Sequence, residues 1–266
     1  MTAAFPLCCG VQGMENQFSR SMIVFGEDAL KRLSECRVAV FGIGGVGGYA
    51  VEALARGGVG AIDLVDNDVI VLSNLNRQII ATHDTIGRSK VKAAEDRVRS
   101  INPNCRVTAH QVFFLPENAD SFDFSRYDYV IDAIDTVAGK LALIEACKSA
   151  GTPIICAMGA GNKTDPTAFT VADISKTKGD PLARVIRSEC RRRDLRGIKV
   201  VYSTEMPVRR IEEAGCAMQE ENTVSKRRSI PGSVSFVPPV MGMILAGEVI
   251  KDLIGMSGEK SLFHEE

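Results

Sequence analysis

Five glycines fall within seven positions, Gly42-Ile-Gly44-Gly45-Val-Gly47-Gly48, between an apolar run and the start of a helical pattern. A turn of that composition lets backbone approach phosphate oxygens, which then face the N–H donors of a helix N-terminus. Asp66 stands 19 positions after Gly47, at the end of the next apolar run. A carboxylate there accepts hydrogen bonds from ribose hydroxyls. Gly42, Gly44, Gly45, Gly47 and Asp66 are therefore predicted to bind a nucleotide. A second group of residues narrows the type. Asp68 is followed by SNLNRQ at 73–78, which supplies Asn74, Asn76, Arg77 and Gln78, and by GRSK at 87–90, which ends in Lys90. Arginine clamps phosphate oxygens bidentately and lysine adds a compact charge. Asp135, after a later apolar run, is placed to hold Mg²⁺, an ion usually bound through one or two carboxylates plus substrate phosphates. Amides, Arg, Lys and an acid suit a triphosphate with its metal. A dinucleotide dehydrogenase would use the same glycine turn, but nothing after Asp66 supports hydride chemistry.

The elements that must position these residues alternate between strand and helix, which predicts a parallel sheet covered on both faces. Strands are expected at 37–41, 61–65, 106–114, 127–134 and 153–157. Helices are expected at 46–56, 87–101 and 137–150. Beyond about residue 165 the regularity weakens. Asp180-Pro181 reads as an N-cap with proline at the first helical position, and Leu182, Val185, Ile186 and Cys190 follow at helical spacing. Strands at 198–204 and 233–237, read as antiparallel, and a helix at 239–254 complete a doubly wound Rossmann-like α/β fold with an antiparallel C-terminal extension. Residues 1–16 are expected to be a flexible segment. Residues 17–266 are expected to form one domain, with a nucleotide half to about 165 and a basic half from about 166.

Composition bounds the rest. The chain has 266 residues, 45% of them hydrophobic, and a formal net charge of −1, which suits a folded chain with a real core and excludes a disordered one. Eight cysteines include no Cys-x-x-Cys pair, and there are three histidines, so no zinc site of ordinary spacing is expected. With no secretory signal, buried thiols in the cytoplasm are the expectation. The apolar run 229–247 contains three prolines and is read as strand plus buried helix, with no membrane span.

Several of these motifs together resemble the ThiF/MoeB/HesA adenylating enzymes, relatives of the ubiquitin-activating enzymes. The resemblance rests on the glycine turn, Asp66-x-Asp68, SNLNRQ, Lys90 in GRSK, INPN at 101–104, DAIDT at 132–136 and FSR at 18–20 before MIVFG. It covers roughly residues 17–175. It implies ATP with Mg²⁺ and a homodimer. Asp66 would lie on the ribose, Asn74, Arg77 and Lys90 on the phosphates with Gln78 in support, Asp135 on the metal, and Arg20 would reach across to the partner's ATP. The implied chemistry is adenylation of a carboxylate with loss of pyrophosphate. No general base is needed for a nucleophile that is already an anion, so positioning and charge neutralisation dominate.

The C-terminal third bears on which carboxylate. Between Lys176 and Arg210 there are eleven basic residues against four acidic ones, a local net of +7 in a chain of −1. Such asymmetry is a footprint for a phosphate-rich partner, and Arg184, Arg187, Arg191 and Arg192 are predicted to contact nucleic acid. DISKTKGDPLARVIR at 173–187, STE at 203–205 and PGSVSFVPPVMG at 231–242 resemble the zinc-free branch of the family, which dehydrates threonylcarbamoyladenosine beside the anticodon of tRNA. Cys216, among four acids, is not in the electropositive setting that activates a thiol. In that branch a nucleophile within the same modified base closes a ring, which removes the need for an enzyme thioester. A cysteine desulfurase or sulfur-acceptor system is a further candidate partner, and some relatives bind a monovalent cation, for which no residue type here marks a site. The sulfur-carrier members of the family instead adenylate a protein's C-terminal glycine, and usually carry zinc cysteines that this chain lacks. An oxidoreductase and an ATP-binding scaffold are the readings from other classes.

Overall fold

The computed structural model describes residues 16–208 and 231–256. Two short helices, α1 (Ser19–Phe25) and α2 (Glu27–Glu35), lead into β1 (Arg37–Phe41), α3 (Gly47–Gly57), β2 (Ala61–Val65), α4 (Lys90–Ile101) and β3 (Arg106–His110). Next come β4 (Tyr129–Asp132), α5 (Val137–Ala150), β5 (Ile154–Ala157), β6 (Phe169–Asp173), α6 (Pro181–Arg192), β7 (Lys199–Ser203) and α7 (Val237–Leu253). The seven strands form one sheet in the order β3-β2-β1-β4-β5-β7-β6. All neighbours are parallel except β6 and β7. The chain leaves β1 toward β2 on one side and returns to β4 on the other, so the switch point lies between β1 and β4. In open α/β sheets ligands bind in the crevice outside the carboxyl ends of such strands.

The sequence of β1 shows why both faces are covered. Val38 and Val40 join one core layer with α3, α4 and α7, while Ala39 and Phe41 join the other with α5 and α6. Side chains alternate across a strand, so a run apolar at every position must be buried twice. On the first layer α3 and α7 approach closely: a Cβ at Gly242 would lie 2.2 Å from the Val46 carbonyl oxygen. On the second, Phe41 is ringed by Phe114, Phe122 and Phe124 with centroids 5.0–5.9 Å away.

The C-terminal third departs from the sequence expectation in three ways. Residues 233–237 are no strand: only 235–236 form a turn, and α7 begins at Val237, because Pro238 and Pro239 cannot donate to a sheet ladder yet suit a helical first turn. The antiparallel partner of β7 is β6, the short FTVAD run at the sheet edge, whose mixed polarity gives little periodic signal. β7 itself lies parallel to β5. In addition, the helix expected from residue 87 starts at Lys90, after a turn with Gly87 at φ 84°. Val185 is 45% exposed, and Ala183 takes the core-facing place with Ile186 and Cys190. Cys216 and the residues from 209 to 230 lie outside the described ones.

Cys36, Cys105, Cys147, Cys156 and Cys190 are buried free thiols. Burial pushes Cys105 up to about 11 and Cys147 up to about 12, so both stay protonated near neutrality. Iodoacetamide at pH 8 is expected to leave these five unlabelled in the folded protein and to label them in urea. Peptide mass spectrometry checks this, and rapid native labelling of Cys147 would contradict the packing.

Candidate active site

The glycine turn is forced by its neighbours. Gly42 has φ 88°, and a Cβ there would lie 2.6 Å from the Ala133 carbonyl oxygen; at Gly47 a Cβ would lie 1.8 Å from the Gly42 oxygen. The turn is therefore wedged against the end of β4 and against itself, and no larger residue fits at either position. Gly44 differs. Nothing lies within 4 Å of its would-be Cβ, so its backbone faces open space. The first turn of α3 has no side-chain cap, which leaves helix N–H donors for an anion.

Asp66 fastens this turn to β2. One carboxylate oxygen accepts from the Ile43 N–H at 2.7 Å and the other from the Asp68 N–H at 2.8 Å. Burial raises its pKa above the ordinary carboxylate value, opposed by the nearby Lys90 charge and by these two N–H donors. Lys90, the first residue of α4, is buried, and its Nζ lies 2.6 Å from Asp68 Oδ2. Asp68 is thus the counter-ion of Lys90, and its own side chain is more than half exposed.

The SNLNRQ segment closes one side of the crevice. The Arg77 side chain runs across the turn, with its Cγ 3.2 Å from the position a Cβ would take at Gly45. Its guanidinium donates to the Ser73 carbonyl and to Asn76 Oδ1, each at 2.9 Å. Asn76 in turn donates to the Ser233 carbonyl at 3.0 Å. Asn74 is buried and accepts from the Val71 N–H at 3.2 Å, holding the short helical turn that presents the segment. Gln78 is buried too, and its amide oxygen has no hydrogen-bond partner among the described residues.

Asp135 lies at the opposite wall, exposed, with no partner for its carboxylate among the described residues. Below it is a pair that sequence reasoning missed. Asp132 and Lys140 are both fully buried, with Lys140 Nζ 3.0 Å from each carboxylate oxygen and 2.7 Å from the Ala157 carbonyl. The lysine joins the ends of β4 and β5, so the loop bearing Asp135 has a rigid floor. An eight-residue Asp–Lys spacing across a strand–helix turn is too ordinary to flag from sequence.

The remaining predicted residues lie apart from this crevice. Arg20 is exposed on α1 and makes no hydrogen bond or ion pair with the residues above. Asp180 caps α6 by accepting from the Ala183 N–H at 2.8 Å. Arg184 and Arg191 are exposed on α6 with no ion pair among the described residues. The Arg187 guanidinium is tied to Thr177, at 2.7 Å to its carbonyl and to its Oγ1. Arg192 pairs with Glu189. Arg187, Arg191 and Arg196 also line a cavity of about 500 Å³ at the end of α6 remote from its cap.

A glycine turn at the switch point, a carboxylate after β2, an arginine over the turn and a buried lysine near that carboxylate define a nucleotide-binding protein of the doubly wound α/β class. The chain belongs to the ThiF family, whose model matches residues 18–264. It is 43% identical to the tRNA threonylcarbamoyladenosine dehydratase of Bacillus subtilis over 91% of this chain and 96% of that protein. It is 36% identical to the enzyme of that name from Escherichia coli, over 92% and 96%. The solved structure of E. coli TcdA in complex with ATP superposes with a TM-score of 0.79 at 34% identity, covering 92% of this chain and 96% of that one. A complex of the same protein with AMP gives 0.78.

Removing one partner of a buried ion pair strands the other charge, at a cost of about 3–5 kcal/mol. Lys140→Met is therefore expected to lower stability by that order, and Asp132→Asn/Lys140→Met to recover part of it. Urea unfolding measures both. A Lys140→Met protein as stable as wild type would show that the pair does not hold the floor of the site.

Proposed function

We propose that this chain is an ATP-dependent dehydratase of threonylcarbamoyladenosine in tRNA, acting by adenylation of the carboxylate on that base. The observation that carries the reading is that Arg77 lies across the same glycine turn that Asp66 holds through the Ile43 N–H, at the β1/β4 switch point, in a chain 43% identical to a B. subtilis protein of that name. ATP would lie with its ribose on Asp66 and its phosphates over Gly44, whose open backbone leaves room for them. Arg77 and Lys90 neutralise phosphate charge, with Asn74, Asn76 and Gln78 shaping that wall. A carboxylate oxygen attacks the α-phosphorus, the bond to the bridging oxygen breaks, and pyrophosphate leaves. A nucleophile of the same modified base then attacks the activated carbonyl, closes a ring and expels AMP, so the nucleoside loses one water. An intramolecular nucleophile has a high effective concentration, which removes the need for a protein thiol.

Asp135 fits Mg²⁺ in one respect: it is an exposed carboxylate without a partner among the described residues, and that ion keeps several waters while taking one or two carboxylates and the phosphates. Bound there, the metal would supply charge for the triphosphate. The described residues hold no cluster of three or more His, Cys, Asp or Glu, so most of its ligands would be phosphate and water.

The exposed arginines of α6 supply the surface for tRNA. The helix spans 12 residues after its Asp180 cap, about 18 Å, and carries Arg184, Arg187, Arg191 and Arg192 along that length. In this reading a homodimer covers α1, none of whose residues is buried and whose Ile23 is 83% exposed, and it brings Arg20 to the partner's ATP. The domain then runs from about residue 17, with the nucleotide half and the basic half sharing one sheet. The reaction balances without a sulfur donor, so a cysteine desulfurase or sulfur-acceptor system would be a separate association. The described residues contain no helix long and apolar enough to cross a membrane, and a cytoplasmic place is part of this proposal.

The direct test incubates the protein with ATP, Mg²⁺ and tRNA bearing threonylcarbamoyladenosine and analyses nucleosides by mass spectrometry. Loss of one water with AMP formed alongside is expected. An unchanged nucleoside would move the activity to another carboxylate, such as the C-terminal glycine of a carrier protein. Arg77→Ala is expected to slow AMP formation by about 10²–10³-fold. Because the raised pKa of Asp66 is that of a carboxyl which must be ionised to bind ribose, ATP affinity should fall on acidification from a pH above the ordinary carboxylate range. Asp66→Asn should bind weakly with no such fall; an unchanged acid limb in that variant would remove Asp66 from the ribose. Arg184→Glu/Arg191→Glu should weaken tRNA binding and reduce its salt slope by about one for each phosphate left without its arginine. Unaltered affinity would make that face merely solvated.

A further inference from the structure

Hydrogen bonds, two backbone steps and one buried ion pair connect Arg77 to the N-terminus of the basic helix, and the members between Asn76 and Asp180 do not belong to the nucleotide site. Arg77 donates to Asn76 Oδ1 at 2.9 Å, and Asn76 donates to the Ser233 carbonyl at 3.0 Å. One residue back, Gly232 is clasped by Asn162, which donates its N–H to the Gly232 carbonyl at 2.8 Å and accepts the Gly232 N–H on Oδ1 at 2.7 Å. The Asn162 carbonyl accepts from the Val208 N–H at 2.7 Å. The neighbouring Lys163 is buried; its Nζ donates to the Glu205 carbonyl at 2.9 Å and lies 3.4 Å from Asp180 Oδ2, the cap of α6. Glu205 closes the set by accepting the Thr164 and Asp165 N–H groups at 2.9–3.1 Å.

Two features mark this clasp as built to hold a position. Asn162 is one of two non-glycine residues with positive φ among those described, at 55°. Asparagine tolerates that region better than most residues, but keeps it only where surroundings impose it. Lys163 and Asp180 carry opposite charges with almost no solvent, their side chains 1% and 0% exposed. One strained turn and one buried ion pair thus bring three separate segments, 203–208, 231–233 and the start of α6, onto the loop that follows β5.

We propose that Asn162 and Lys163 are positioning residues that fix Arg77 over the glycine turn relative to the start of α6, so that the arginine is placed for the α-phosphate only while this clasp is closed. They touch neither ATP nor the reacting carboxylate. They act through Ser233 and Asn76 on one side and through Asp180 on the other. The kinetic part rests on the dehydratase reading; the positional part does not.

Asn162→Gly suits the left-handed backbone and removes only the side-chain half of the clasp, while Asn162→Asp keeps the acceptor. Hydrogen exchange on the unliganded protein is the first arm. Asn162→Gly is expected to speed exchange across 73–78 at least fivefold, with 47–57 and the melting temperature unchanged, and Asn162→Asp to restore it. Equal exchange in wild type and Asn162→Gly would overturn the proposal whatever the substrate. The second arm measures single-turnover AMP formation with modified tRNA. A tenfold or greater loss in Asn162→Gly is expected, with ATP and tRNA affinities within twofold of wild type and the rate largely recovered in Asn162→Asp. A wild-type rate, or a loss carried entirely by affinity, would overturn the coupling to chemistry. A wild-type protein that forms no AMP would overturn the dehydratase reading instead, and the exchange arm still decides the position of Arg77.

Discussion

The site depends on the contact between the glycine turn and the end of β4. With only 2.6 Å between a would-be Cβ at Gly42 and the Ala133 carbonyl, the turn has no freedom to sit elsewhere. That closeness sets where α3 begins, where its N-terminal donors face, and how far Asp66 on one side lies from Asp135 on the other. The requirement is steric, so a glycine there is not replaceable by compensation at a distance. Around this fixed point the charged groups are placed by ties of their own: Asp66 by two backbone donors, Lys90 by Asp68, and Arg77 by Ser73 and Asn76.

What surrounds the crevice explains its rigidity. The strands feeding it are buried on both faces, and the Asp132–Lys140 pair braces the ends of β4 and β5 from below. A chemistry that relies on charge already in place, with little covalent work for the protein, needs donors that do not have to reorganise as charge develops. Buried ion pairs and hydrogen-bonded arginines meet that need. The exposed Asp135, Arg184 and Arg191 are the complementary case: groups without ion-pair partners among the described residues, where ligand is expected to supply them.

Much of this is legible from residue order. Strand, glycines, helix, strand and Asp66 are local signals, each carried by a few adjacent residues, and they locate the nucleotide half closely. Asp180-Pro181 marks the start of α6 for the same reason. The weaker reading of the C-terminal third has a physical cause. There the structure is decided by long-range pairing: β6 by its antiparallel partner β7, and 231–233 by Asn162 and Asn76. Ser233–Val237 reads as extended because Val234, Phe236 and Val237 are strand formers, but Pro238 and Pro239 just beyond them suit a helical first turn, and packing of α7 on α3 fixes where that helix starts. The buried pairs Asp132–Lys140 and Lys163–Asp180 are invisible in the sequence because charged residues are ordinarily read as surface.

The central claim is that a carboxylate oxygen becomes the bridge to the α-phosphorus and leaves with AMP. Modified tRNA carrying ¹⁸O in the threonylcarbamoyl carboxylate tests it most directly, with the AMP product examined by mass spectrometry after one turnover. One ¹⁸O in each AMP, transferred from the substrate, is expected. Unlabelled AMP formed together with the dehydrated nucleoside would contradict adenylation of that carboxylate.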